Sequence, residues 1–178
     1  MKAGLPRSAA RRLASSGQVR YPELARRLAA DLGNPAFTFG DRAPMQAARD
    51  AVLAIRRAKG MVLDDADHDT WGAGSFFTNP ILDASSAASL PADAPRYPAD
   101  GDSVKTSAAW LIEQTGFGRG YGSGPARVSG KHTLALTNRG SARADDVVAL
   151  AREIRDGVRT RFGVTLETEP MLIGLSLD

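Results

Sequence analysis

Residues 72–80 read GAGSFFTNP, and this stretch is the most informative part of the chain. Gly72 and Gly74 have no side chain, so the main chain can approach a bound ligand closely. The two adjacent phenylalanines can exclude water from one side of the Ser75 hydroxyl. Ser75 and Asn79 then supply a proton donor and a group that both donates and accepts hydrogen bonds. A turn serine that hydrogen-bonds to nearby backbone is the structural alternative for Ser75.

Six further segments extend this pattern in both directions. They are RYPEL at 20–24, IRRAKG at 55–60, DSVK at 102–105, AAWLI at 108–112, KHTLALTN at 131–138 and EPMLIG at 169–174. In this order, and together with GSFFTNP, the segments resemble the UDP-N-acetylenolpyruvoylglucosamine reductase (UDP-N-acetylmuramate dehydrogenase) family. The resemblance covers nearly the whole chain, and it is to the C-terminal, substrate-binding domain of that family.

The resemblance implies an oxidoreductase of peptidoglycan synthesis, on which the cell wall, cell shape and cell division depend. The reaction is the NADPH-dependent, FAD-mediated reduction of UDP-N-acetylglucosamine-enolpyruvate to UDP-N-acetylmuramate in the cytoplasm. Family members carry the flavin in a preceding half, and nothing in this sequence resembles that half. We therefore expect the chain to need a flavin domain or a separate flavin-binding chain for turnover. The alternative is an inactive fragment or a module that only binds a UDP-sugar.

The resemblance also implies roles for eight residues. Ser75 resembles the proton donor of the family. Glu169 resembles its second catalytic residue, and we expect this carboxyl group to keep its proton beside a substrate carboxylate, because like charges disfavour ionisation. Substrate contacts are implied for Tyr21, Lys59, Asn79 and His132, and cofactor contacts for Arg56 and Gly74. No metal is implied, and a chain with two histidines and no cysteine offers little support for a zinc site.

Plain structural alternatives remain open for several of these residues. Glu169 can be a surface glutamate at the start of a strand, and Tyr21 can be a core or lid aromatic. Arg56 and Lys59 can complement the dipole at a helix end. A serine hydroxyl is a poor acid in water, so the role of Ser75 requires a strongly basic acceptor and a dry site.

Composition indicates one folded domain with a basic N-terminus. The 178-residue chain has a net charge of +3 and no cysteine, and it has no run of the ~18 apolar residues needed to span a membrane. Seven basic residues precede residue 28, so we interpret residues 1–20 as a basic, flexible leader and residues 21–178 as the domain. A solvated surface, with or without local attraction for a diphosphate, is favoured over a nucleic-acid interface.

Periodicity predicts an α+β fold, with a small sheet and helices packed on one face. The expected helices are 21–31, one from 44, 103–115 and 145–162; the expected strands are 133–137, 164–167, 171–175 and a short one beginning at Phe76. Residues 83–102 are interpreted as a surface connection. Residues 116–124, GFGRGYGSG, follow a helix and do not fit G-x-G-x-x-G, so we interpret them as a mobile loop rather than a nucleotide site.

Overall fold

Two compact units make up the structure. The computed structural model describes residues 15–177, and the chain divides after Val62 into an N-terminal and a C-terminal unit. Each unit has a packed core of its own. Residues 1–14 of the predicted leader lie outside the described residues, whereas Ser16–Gln18 form a strand of the N-terminal unit. Within the described part of the chain, no helix is long and apolar enough to pass through a bilayer.

The N-terminal unit combines two helices with a two-stranded antiparallel sheet. Strand β1 (Ser16–Gln18) pairs with β2 (Arg42–Pro44), and helix α1 (Pro22–Asp31) packs against α2 (Met45–Ala58). Pro22 is the first residue of α1, where its fixed φ suits the helix and no N–H is needed, and Pro44 immediately precedes α2. Both helices confirm the prediction. The buried side chains are small or aliphatic: Val19, Ala25, Leu28, Ala43 and Ala51.

Two three-stranded antiparallel sheets organise the C-terminal unit. In the first, β3 (Gly72–Ser75) pairs with β8 (Ala135–Asn138), which pairs with β7 (Ala126–Val128). The second consists of short strands in the order β4, β6, β5, which span Ile81–Leu82, Val104–Lys105 and Tyr97–Pro98. Strand β8 confirms the strand predicted at 133–137, with its start shifted to Ala135. Together with the helices, these sheets confirm the α+β fold class.

Three helices accompany these sheets: α3 (Ala84–Ser89), α4 (Ala108–Gln114) and α5 (Ala144–Phe162). Helix α5 confirms the helix predicted at 145–162 and packs against β7, β8 and α4. Gly163 ends it with φ +68°, a left-handed conformation that glycine adopts without a steric penalty. The buried face of α5 is aliphatic and consists of Val148, Leu150, Ala151, Ile154 and Val158.

Several predicted elements are wrong. Residues 164–167 and 171–175 form no strand; the one pairing nearby is an antiparallel bridge between Phe77 and Thr168. Val164 and Leu166 are buried in the core although residues 164–167 form no regular strand. The alternation of apolar residues therefore indicates which side chains are buried here, and it does not indicate strand pairing. A strand was expected to begin at Phe76, but the observed strand β3 ends at Ser75 and does not include Phe76.

Pairing and capping explain two further differences. The helix predicted at 103–115 begins at Ala108, because residues 104–105 are paired in β6 and the Ser107 hydroxyl caps the helix by accepting from the Trp110 N–H. The predicted surface connection at 83–102 contains α3 and β5. Asp83 caps α3, since its carboxylate accepts from the Ser86 N–H at 2.8 Å.

Candidate functional site

A β-bulge leads into Ser75. Gly72 pairs with Thr137 and Ser75 pairs with Ala135, so β3 has one more residue than β8 between these two pairs. Within this bulge Gly74 has φ +87°, a region that glycine enters without strain. A bulge bends its strand and redirects the side chains beside it. The direction of the Ser75 side chain therefore depends on the conformation of Gly74.

The two glycines of β3 approach different neighbours. A Cβ at Gly72 would stand 2.7 Å from the carbonyl oxygen of Leu136, so this glycine permits close contact between two strands. Around Gly74, no described atom outside its chain neighbours lies within 4 Å of the Cβ position. The main chain at Gly74 is therefore open on that side.

The main chain of Phe76 joins three segments that carry predicted site residues. Its N–H donates to the carbonyl oxygen of Leu134 at 2.7 Å, and its own carbonyl accepts from the Glu169 N–H at 2.9 Å. Ser75 precedes Phe76, and His132 lies two residues before Leu134. The backbone therefore brings the segments of Ser75, His132 and Glu169 side by side, although they are far apart in the sequence.

The side chains of Ser75 and Glu169 differ in their surroundings. Ser75 is half-buried, and its hydroxyl makes no hydrogen bond to another residue within 15–177, which disfavours the turn-serine alternative. Glu169 is exposed and lines a cavity of about 630 Å³ that Ser75 does not line. The paired roles that the resemblance implies for Ser75 and Glu169 require the two side chains to face one cleft, and this stays a prediction. Phe76 and Phe77 are core residues with 6% and 1% exposure, and their rings meet edge to face.

Asn79 has a role in the fold that the sequence did not reveal. Its side-chain oxygen accepts from the N–H of Ala108, the first residue of α4, at 3.0 Å. The side-chain NH₂ group makes no hydrogen bond to the described residues. Asn79 is exposed and lines a cavity of about 590 Å³, together with Glu167 and Phe162. The predicted substrate contact would therefore use the NH₂ group, while the oxygen stays with the helix.

His132 lies in the turn before β8. Its Nδ1 accepts from the Leu134 N–H at 3.1 Å, so a neutral ring carries its proton on Nε2. The carbonyl oxygen of His132 accepts from the Ala135 N–H at 3.1 Å, which closes the turn. His132 thus shapes the backbone that binds Phe76, whether or not its side chain also contacts a substrate.

An acidic turn at residues 64–70 binds residues on both sides of β8. The Lys131 ammonium donates to Asp67, while Asp69 accepts from the Gly130 N–H and from Arg139, both at 2.9 Å. The hydrogen bond from Lys131 holds the pKa of Asp67 below its usual value, and the same bond raises the pKa of Lys131. Within residues 15–177, neither this turn nor any other region has a group of three or more His, Asp or Glu residues that could hold a metal ion.

The glycine-rich segment at 116–124 packs on α5 rather than standing free of it. The Phe117 ring lies against Gly157, where a Cβ would come within 2.3 Å of the ring. Phe117 meets Tyr121 edge to face, and the Tyr121 hydroxyl donates to Glu153 at 2.6 Å. This hydrogen bond raises the pKa of Tyr121. The segment is therefore anchored at two aromatic residues.

The remaining predicted site residues lie at the helix ends of the N-terminal unit. Tyr21 precedes α1 and is 73% exposed. Lys59 follows α2, and its ammonium donates to the Glu23 carboxylate at 2.6 Å. Glu23 is two residues from Tyr21, so Lys59 and Tyr21 belong to the same end of the unit. Arg56 is exposed in the last turn of α2 and has no ion pair with the described residues.

Residues 65–173 match the family model of the UDP-N-acetylenolpyruvoylglucosamine reductase C-terminal domain. The chain belongs to this family. Proteins named UDP-N-acetylenolpyruvoylglucosamine reductase from Streptomyces avermitilis and Mycobacterium avium are 55% and 54% identical to it over 172 and 173 residues. A protein named UDP-N-acetylenolpyruvoylglucosamine reductase 2 from Corynebacterium glutamicum is 55% identical over 170 residues.

These matches cover nearly all of this chain but less than half of each relative. The aligned share of this chain is 91% for the Streptomyces and Mycobacterium reductases and 92% for the Corynebacterium one. The corresponding shares of the relatives are 45%, 44% and 45%. The chain thus corresponds to less than half of a reductase of this family.

The range matched by the family's C-terminal domain includes five of the eight predicted site residues: Gly74, Ser75, Asn79, His132 and Glu169. The other three precede that range, in the N-terminal unit: Tyr21, Arg56 and Lys59. Sequence reasoning missed Glu23, because a glutamate in the first turn of a helix is an ordinary feature. It also missed the hydrogen bonds that join the main chain of Phe76 to Leu134 and Glu169, because backbone hydrogen bonds do not depend on the identity of a side chain.

Proposed function

We propose that this chain supplies the substrate-binding and proton-donating part of a UDP-N-acetylenolpyruvoylglucosamine reductase. The reaction is the reduction of UDP-N-acetylglucosamine-enolpyruvate to UDP-N-acetylmuramate for peptidoglycan synthesis, with NADPH as the hydride source and FAD as the carrier. One observation carries the proposal beyond family membership. The Ser75 hydroxyl is uncommitted beside a bulge, and the next residue is bonded directly to the segment of Glu169.

The chemistry requires a proton donor and a stabiliser of negative charge. When bound, a flavin would supply the hydride that one carbon of the enolpyruvyl double bond receives. The negative charge that develops is shared with the substrate carboxylate, and the neighbouring carbon then takes a proton. We assign that proton to the Ser75 hydroxyl, which has no competing acceptor within residues 15–177. Glu169 is the residue that we propose, from the family resemblance, to act beside this carboxylate.

Other residues would bind the substrate without taking part in proton transfer. Lys59 and Tyr21 offer an ammonium and a phenol to the diphosphate, and both are accessible in the N-terminal unit. Asn79 offers its amide NH₂ group to a polar edge of the substrate, because its oxygen is bound to α4. His132 is assigned to the substrate by the family resemblance, and its Nδ1 accepts from the main chain.

Gly74 and Arg56 are the residues that we propose for the cofactor side. The open main chain at Gly74 fits a flat ring, since no side chain intervenes. The Arg56 guanidinium is exposed and has no ion pair with the described residues, so it is available to an anionic group. Each assignment depends on a flavin domain or flavin-binding chain being present with this one.

Reconstitution tests the proposal. The 178-residue chain is mixed with, or fused to, the flavin-binding half of the Streptomyces avermitilis relative, and NADPH oxidation is followed with UDP-N-acetylglucosamine-enolpyruvate. We expect turnover from the combination and none from this chain alone, even with added FAD. Turnover by the chain alone would contradict the proposal that another domain or chain must bind the flavin. Binding of the substrate without turnover in any combination would instead identify a UDP-sugar-binding module.

A further inference from the structure

Lys59 is already bound to a carboxylate in the structure. Its ammonium lies 2.6 Å from Oε2 of Glu23, and the side chains are 37% and 50% exposed. Glu23 belongs to the first turn of α1, and Lys59 is the residue that follows the last turn of α2. The ion pair therefore joins the start of one helix to the end of the other.

The other acidic side chains of this unit are bound locally. Residues 15–62 contain eight basic and four acidic residues. Asp31 and Asp50 pair with arginines one helical turn or one residue away, and Asp41 accepts from the N–H of Thr38. Among these four acidic residues of the described unit, Glu23 is the one whose ion pair connects the two helices. It neutralises a cation on an otherwise basic helix end.

The basic end of α2 is otherwise uncommitted. Arg56 and Arg57 occupy its last turn, are exposed, and have no ion pair within residues 15–177. A diphosphate that approached these guanidinium groups would meet the Lys59 ammonium with the negative charge of Glu23 beside it. Phosphate oxygens and a carboxylate compete for the same ammonium donors, and their like charges repel.

We propose that Glu23 is a latch that a diphosphate displaces from Lys59. In the free chain the ion pair holds the first turn of α1 against the end of α2. When diphosphate oxygens bind Lys59, the Glu23 carboxylate turns to solvent, and the segment that carries Tyr21 is released with it. The identity of the diphosphate as part of a UDP-sugar rests on the proposed function, whereas the exchange itself rests on the ion pair.

The exposure of the pair makes such an exchange feasible. Both charged groups remain partly in water, so parting them leaves neither one buried without a partner. Lys59 keeps a favourable position in the absence of Glu23, because a cation at the C-terminal end of a helix complements its dipole. A Glu23→Gln variant should therefore fold normally, and it should present a more strongly positive site to anions.

The experiment is calorimetric titration of the full chain with inorganic pyrophosphate. We expect Glu23→Gln to bind about fivefold more tightly than wild type, the size of one unit-charge interaction at ~4 Å in water. Glu23→Gln/Lys59→Ala should bind no better than Lys59→Ala, because the latch acts through the lysine. Asp50→Asn is the matched control, since it removes the same charge from the same unit without touching Lys59.

A second readout follows the movement. In amide NMR spectra, pyrophosphate should shift the resonances of Tyr21, Glu23 and Leu24 of wild type toward their positions in Glu23→Gln, apart from residue 23 itself, which differs in the variant. Unchanged or weaker pyrophosphate binding by Glu23→Gln, an equal gain from Asp50→Asn, or no binding by either protein would overturn the latch. If pyrophosphate behaves as expected but UDP-N-acetylglucosamine-enolpyruvate does not bind, the latch stands and the proposed function fails. If that substrate binds Glu23→Gln and wild type equally, the latch fails and the proposed function stands.

Discussion

The main-chain N–H of Glu169 donates to the carbonyl oxygen of Phe76 at 2.9 Å, directly beside Ser75. This bond is made by backbone atoms, so it does not depend on the side chain at 75 or at 169. Substitutions at either position should therefore leave the two segments together. Their effects on turnover can be assigned to the chemistry of the lost group rather than to a rearranged backbone.

Ser75→Ala should remove turnover and preserve binding. The substitution removes one hydroxyl that has no hydrogen-bond partner in residues 15–177, so the fold should not change. In the reconstituted enzyme, kcat should fall by ~10²–10⁴, as is typical when a general acid is lost. Calorimetry should give an unchanged substrate Kd. Ser123→Ala, at an exposed serine of the glycine-rich segment, is the control and should keep full activity. Full activity of Ser75→Ala would remove Ser75 from the reaction.

Gly74→Ala should impair both stability and turnover. At φ +87° an L-residue is strained, at a cost of ~1–2 kcal/mol. Relief of that strain would move the bulge and with it the Ser75 hydroxyl, and a shift of ~1 Å can reduce rate by ~10². Urea unfolding and steady-state kinetics measure the two effects. Gly118→Ala is the control, because Gly118 has a negative φ and open space around it. A Gly74→Ala protein as stable as wild type would contradict the role of the bulge.

Gly157→Ala should destabilise α5 through Phe117. The added methyl group would lie 2.3 and 2.8 Å from two ring atoms, and overpacking of this kind costs ~1–3 kcal/mol. Alanine otherwise favours a helix interior by ~1 kcal/mol over glycine. In a Phe117→Ala background the same substitution should therefore become stabilising. Urea denaturation of the four proteins of this cycle provides the measurement, and an unchanged sign would show that the ring does not constrain Gly157.

Asp83 should make the stability of α3 depend on pH in the acid range. Hydrogen bonds from the Ser85 hydroxyl and the Ser86 N–H lower the pKa of Asp83 to about 2. The folded pKa lies below the unfolded value of ~3.9. The contribution is thus fully present above pH ~4 and is lost as the pH falls through about 2.

Urea midpoints of wild type and Asp83→Ala measure this contribution. Their difference should be constant near neutral pH and shrink between pH 4 and 2. Asp83→Asn is the control, because asparagine also caps helices and does not titrate. A wild-type advantage over Asp83→Ala that persists unchanged at the lowest pH would contradict the assignment.

The three longer helices, α1, α2 and α5, were predictable because their signals are local, whereas α3 was missed and α4 begins later than predicted. Apolar spacing located the starts of α1 and α5 to within one residue, and Pro44 located the start of α2. The sheets were less predictable, because short strands are defined by partners. Residues 164–167 have the composition of a strand but form no regular ladder with residues 76–78, to which the Thr78 N–H joins them by donating to the Glu167 carbonyl. Strand β7, in contrast, follows a glycine-rich segment and pairs with β8.

The site was predictable as a set of residue types but not as a set of contacts. The resemblance identified Asn79 and Lys59 as candidates, yet the Asn79 oxygen is committed to α4 and Lys59 to Glu23. Both partners are revealed only by the folded chain, since one is a main-chain N–H and the other a common surface residue. Motifs report which groups are present, while the fold decides which of their atoms remain available.

The contact between Gly72 and the Leu136 carbonyl has a consequence for how this motif is interpreted in other sequences. A side chain at 72 would collide with a neighbouring strand whether or not any substrate is ever bound. Natural selection for folding alone is therefore enough to keep this glycine in place. A descendant that had lost all enzymatic activity would still display the first letter of GAGSFF. That glycine records the architecture, and surveys that infer reductase activity should give it no weight.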